Sequence, residues 1–113
     1  MSLASLFYPP PTPAGFEEFA FSNYQHHQAI IDAARTVKNV TLTLYQIWPV
    51  NPRNFQQWLA AHQQQHDDMN ALYGVPGSDL TSLDLNDPRQ VEAFFLVHAS
   101  EHRDVAQKSG LPI

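Results

Sequence analysis

The chain has 113 residues, 43% hydrophobic and 12% aromatic, with no cysteine and a formal net charge of −5 when histidine is neutral. Such a composition predicts one folded domain with a modest core, and it excludes disulfides and thiolate zinc sites. The basic side chains are scattered, so no face is expected to meet nucleic acid. No run is apolar and long enough to cross a membrane, and none reads as a signal peptide.

Residues 1–13 hold four of the nine prolines, which predicts an extended, polyproline-like arm. Its Leu3, Leu6, Phe7 and Tyr8 are expected either to cover the domain's own core or to dock on a neighbouring subunit. A first helix is predicted from about residue 13 to about 37. Its apolar stripe reads Phe16, Phe19, Asn23, His27, Ile30 at three- and four-residue steps. His26, one residue off the stripe, is expected in solvent. In residues 39–50, Val40, Leu42 and Leu44 alternate with polar residues. A lone strand has no sheet to join here, so an extended or irregular segment over the helices is expected.

A second helix is predicted from about 52 to 73, with Asn51 as cap and Pro52 at its first position. Its stripe reads Phe55, Trp58, His62, His66, Met69, and Gly74 suits a left-handed cap. In the loop that follows, Leu80, Leu83 and Leu85 should pin the chain to the bundle while Asp79 and Asp84 face water. A third helix is predicted from about 88 to 109. Asp87 should cap it, Gln90 should complete a capping box, and Gly110 should end it. Its stripe reads Val91, Phe94, His98, His102, Val105.

Each stripe starts from a proline and follows one pattern, P-x-x-[FV]-x-x-[FW]-x-x-x-[NH]-x-x-x-H-x-x-[IMV]. The second and third copies are offset by 36 residues (98 − 62 and 110 − 74), the first and second by 39 (66 − 27). Such an offset suggests an internal repeat. Because the polar pairs sit mid-helix, facing stripes bring Asn23, His27, His62, His66, His98 and His102 together in parallel or antiparallel packing.

An unsatisfied buried polar group costs about 1–3 kcal/mol, and a whole domain is stable by only about 5–15 kcal/mol. Six such groups must therefore be satisfied, and three arrangements do so. One is a hydrogen-bonded polar layer that fixes helix register, the preferred reading of the residues alone. A second is a metal site in which His27, His62, His66, His98 and His102 are ligands, with Glu18, Asp67, Glu101 and Asp104 behind them. Nitrogen ligation there would favour zinc, iron, nickel or copper. The third is a partly open groove or subunit interface. No phosphate-binding loop or nucleophile motif is present, so no catalytic residue is expected, and the layer requires no cofactor.

The His-x3-His pairs resemble those of hemerythrin-like diiron bundles, but the fourth helix and the bridging carboxylates are missing. A broader resemblance joins Phe19-x3-Asn23-x3-His27, the run from Trp58 to Asn70, Gly77-Ser78-Asp79-Leu80 and His98 to His102. In these the chain resembles small proteins encoded among tailed-bacteriophage structural genes, over most of its length beyond residue 15. That resemblance implies a virion or assembly component, made in the host cytoplasm. Its partners would be copies of itself or other virion proteins, reached through the arm and loops, and neither nucleic acid nor membrane. The expected fold is mainly α: a three-helix bundle over residues 14–113, with an extended Pro-rich N-terminal arm and long ordered loops. A metal-binding helical protein is the alternative function.

Overall fold

The computed structural model describes residues 13–45, 50–51 and 53–111. Leu3, Leu6, Phe7 and Tyr8 of the expected arm, and Pro52, expected at the first position of the second helix, lie outside the described residues. Three helices form: α1 (Pro13–Lys38), α2 (Phe55–Tyr73) and α3 (Pro88–Ser109). Among the described residues there is no strand, and no helix is long and apolar enough to cross a membrane.

The ends of the helices follow local chemistry, with two departures from expectation. Asp87 caps α3 by accepting from the Arg89 N–H at 3.0 Å, with Pro88 as the first helical residue. The expected capping box does not close. The Asp87 N–H is already held by Asp84 O at 3.0 Å, and the Gln90 side chain accepts from the Asp84 N–H instead. Helix α2 begins at Phe55, not near residue 52. Asn51 Oδ1 accepts from the N–H groups of Arg53 and Asn54, at 2.9 and 3.1 Å, which closes a turn where a helix was expected to open. Gly74 and Gly110 end α2 and α3 with φ of +67° and +79°. Each is the left-handed position that an L side chain enters only at a steric cost.

The helices run in the same direction. One core cluster joins Phe16, Phe19, Trp58, Leu59, Phe94 and Phe95, all from the first halves of their helices. A second joins Ile30, Ala34, Met69, Tyr73 and Val105, all from the second halves. Both connections must therefore travel back along the bundle, and they do. Leu42 packs on the second cluster while Val50 lies in the first. Val75 lies in the second cluster and Leu80 and Leu83 in the first. Fourteen extended residues reach about 46 Å, which exceeds the roughly 33 Å length of a 22-residue helix.

Helix α3 packs closely against both others, whereas the described backbones of α1 and α2 stay apart. The segment 39–45 meets α2 through Gln65, which is fully buried. Its amide donates to Thr43 O at 2.9 Å and accepts from the Tyr45 N–H at 2.7 Å. One side chain thus supplies the pairing that a neighbouring strand would have given, and the segment stays extended without a sheet.

Candidate metal centre

Between the two apolar clusters lie the six polar side chains of the three stripes, all buried. Parallel packing of three matching helices sorts them into two tiers. In one tier, His98 Nε2 lies 3.0 Å from Asn23 Oδ1 and 3.2 Å from His62 Nε2. In the other, the Nε2 atoms of His27, His66 and His102 form a triangle with sides of 3.0, 3.2 and 3.3 Å. The ring centroids of those three stand 4.8–5.0 Å apart. The nitrogen tips are thus much closer together than the rings, so the rings point inward at a common centre. One ligand nitrogen from each of His27, His62, His66, His98 and His102 lies within 4.8 Å of every other.

Hydrogen bonds can account for at most two sides of the triangle. The Nε2 of an imidazole either carries a proton or presents a lone pair, and never both. Three atoms with two possible states must include two alike, so one side of the triangle sets N–H against N–H or lone pair against lone pair. Protonating a ring does not help, because it only turns an acceptor into a donor. A cation at the centre engages three lone pairs at once.

The spacing fits such an ion. With metal–nitrogen bonds of about 2.0–2.1 Å, ligand nitrogens stand about 3.4 Å apart around a tetrahedral ion and about 3.0 Å apart at adjacent corners of an octahedral one. Opposite corners of that octahedron are about 4.2 Å apart, so the widest pair of the five nitrogens, which all lie within 4.8 Å of one another, has to draw in slightly around one ion. The lone pairs are also available. Burial, and then repulsion between the rings, holds the pKa values of His27, His62, His98 and His102 well below 6.5, so these rings are neutral at ordinary pH.

Two rings of the cluster, His66 and His102, have partners on their outer nitrogens, as metal-bound histidines commonly do, whereas the buried Nδ1 atoms of His62 and His98 meet none among the described residues. Glu101 Oε1 lies 3.3 Å from His66 Nδ1 and accepts from the Asn70 amide. Burial pushes the Glu101 carboxyl up, but the hydrogen bonds from His66 and Asn70 outweigh it and hold it below the usual carboxylate range. It is thus a buried negative charge, which a cation in front of His66 would offset. His26 Nδ1 lies 2.6 Å from His102 Nδ1. Burial, then His66, lowers the His26 pKa to about 4.

His26 corrects the expectation of a solvated ring: it is buried. The core-facing surface of a helix is wider than a single stripe, so the neighbouring position is covered as well. Glu18, Asp67 and Asp104 do not stand behind the ligands as expected; all three are exposed. Each is next to a stripe residue but turned outward by about 100° of helix rotation, and Asp67 instead accepts from Gln63 on its own helix.

Gln65 and Asn70 were missed by sequence reasoning, although the repeat carries the signal for one of them. His26, Gln65 and Glu101 each precede the second histidine (or its counterpart) of a stripe, and Gln65 and Glu101 share the 36-residue offset (101 − 65). All three are buried. Asn70 lies four residues beyond His66, where the stripe continues. No protein-family model, curated protein or solved structure matches the chain.

Proposed function

We propose that the protein binds one transition-metal ion at the centre of its bundle. The donors are His27, His62, His66, His98 and His102, and the Asn23 carbonyl completes a six-donor shell. The observation that carries this reading is the Nε2 triangle of His27, His66 and His102, in which protons can bridge at most two of the three sides. Imidazole donors favour nickel, iron, zinc or copper over magnesium or calcium. One ion is argued over two because the donors are neutral. Two adjacent dications need bridging anions, and the carboxylate nearest the cluster, Glu101, meets the outer nitrogen of His66.

Titration of chelator-treated protein with nickel or zinc tests the proposal. Binding is expected to saturate at one ion per chain and to raise the melting temperature. A protein that retains no ion through gel filtration, and melts identically with and without it, would sink the reading.

A second reading concerns where such a domain works. The resemblance to proteins encoded among tailed-phage structural genes supports an assembly role, without catalysis, within a virion. An observation that favours a contact surface is an open groove of about 590 Å³ at the N-terminal end of the bundle, lined by Phe16, Val50, Phe55, Leu83 and Leu85 together with the carboxylates Glu17 and Asp84 and three amide side chains. Its occupant would be the apolar arm of a neighbouring copy, through Leu3, Leu6, Phe7 and Tyr8. Removing residues 1–12 is then expected to abolish self-association in sedimentation velocity while leaving the helical circular dichroism intact. Self-association unchanged by the deletion would count against this reading.

A further inference from the structure

The six proposed donors are not equivalent. Five are imidazoles, and the sixth is the carboxamide oxygen of Asn23, a neutral and weaker donor to borderline metals. Asn23 occupies the position taken by His62 and His98 in the other stripes, so the repeat is broken at one corner of the shell. That corner also borders a small crevice. The backbones of α1 and α2 stay apart, and the crevice, of about 10 Å³, lies between them, lined by Asn23, His27 and His62 together with Tyr24, Tyr45 and Trp58. That volume is about the size of one water. Tyr45 belongs to the extended segment that is tied to α2 by the Gln65 amide.

Charge indicates what would enter. A dication among five neutral imidazoles and a neutral amide keeps its full charge within the shell. Glu101, behind His66, offsets one unit (+2 − 1 = +1). A monoanion that displaces a neutral donor removes the remainder in a site where little water screens it.

We infer that Asn23 is the exchangeable ligand of the metal centre proposed above, and that the site takes a small monoanion bound end-on, its donor atom in the water-sized crevice, entering past Tyr45. The inference rests on the metal reading. In the exchange, the bond from the metal to Asn23 Oδ1 breaks and a bond from the metal to the anion forms. No electron changes hands, and the freed amide can turn an N–H toward the bound anion.

The full chain loaded with cobalt(II) and titrated with azide tests this by visible absorption. Six-coordinate cobalt gives weak visible bands; azide should shift them and add a charge-transfer band. In Asn23→His a sixth imidazole holds the corner, and the azide response is expected to be lost while cobalt stays bound. In Asn23→Ala no carbonyl competes, and azide should bind more tightly than to the wild type. Tyr45→Ala should speed the spectral change. A wild-type cobalt spectrum indifferent to azide, or an Asn23→His response equal to the wild type, overturns the inference. If Asn23→His does not fold, Asn23→Ala decides it: azide affinity no higher than wild type overturns the inference. Failure to retain cobalt at all is a different result, and it removes the metal reading itself.

Discussion

His27→Leu is expected to change the metal-free and metal-loaded proteins in opposite directions. In the metal-free protein the substitution removes one corner of the Nε2 triangle. The remaining pair, His66 and His102, lie 3.2 Å apart and can then share one proton as donor and acceptor. An unpaired buried group costs about 1–3 kcal/mol, so unfolding in the presence of a chelator should cost the variant as much as the wild type or up to that much more. In the loaded protein the same change removes a ligand. At free metal a thousandfold above its dissociation constant, the wild type gains about 4 kcal/mol from the ion, and the variant should lose most of that gain. For a domain near this size the loss corresponds to roughly 15 °C or more in melting temperature. Denaturant melts of both proteins, with chelator and with nickel, measure all four quantities. A hydrogen-bonded layer would predict a loss of stability in both conditions, and that outcome would argue against the ion.

Acid should unfold the metal-free protein steeply. His27, His62, His98 and His102 are pushed well below 6.5, first by burial and then by neighbouring rings. Once unfolded, the same rings titrate near 6.5. Above that pH both states are neutral and the full stability is present. Below it the unfolded chain binds protons that the folded core refuses, so stability falls as pH falls. Each ring contributes about 1.4 kcal/mol per pH unit, and four together roughly 5 kcal/mol, against a total stability of about 5–15 kcal/mol. Unfolding is therefore expected within one to three pH units below 6.5. Bound metal competes with protons for the same nitrogens and should shift the transition to lower pH. Melting temperatures across this range test the point; a flat profile from pH 7 to 5 would mean that the rings take up protons freely in the folded state.

Much of the architecture is written in the spacing of the sequence. The steps from Phe16 to Ile30, Phe55 to Met69 and Val91 to Val105 define three core-facing stripes, and Gly74 and Gly110 mark two helix ends. The direction of the helices is not written there, because mid-helix polar pairs meet in either packing. It follows from side chains that meet only in three dimensions: Phe16 against Trp58 and Phe19 against Phe95, with ring centroids 5.0 and 4.8 Å apart.

The centre itself was legible as residue types but not as chemistry. Periodicity places five histidines in one core, and a polar layer was the natural expectation. The distances among three Nε2 atoms turn the argument toward an ion. Where sequence reasoning failed, the cause was local. Asn51 serves a turn in place of a helix start, Gln90 finds Asp84 closer than Asp87, and His26 is covered because a helix buries more than a single line of side chains. The carboxylates Glu18, Asp67 and Asp104 were counted by nearness in sequence, whereas a single step along a helix turns a side chain away.

The common direction of the three helices also sets the order in which the molecule can assemble. Antiparallel helical hairpins fold quickly because neighbours in sequence meet early. Here the contacts at the centre join residues 36, 39 and 75 positions apart. Closing loops of that length before any reward slows the search for the native state. A ribosome delivers α3 last, and α3 is the helix that packs on both others. A nascent chain ending before His98 therefore holds three of the five clustered imidazoles and lacks the helix that packs on both others, so the cluster cannot be complete before α3 has emerged.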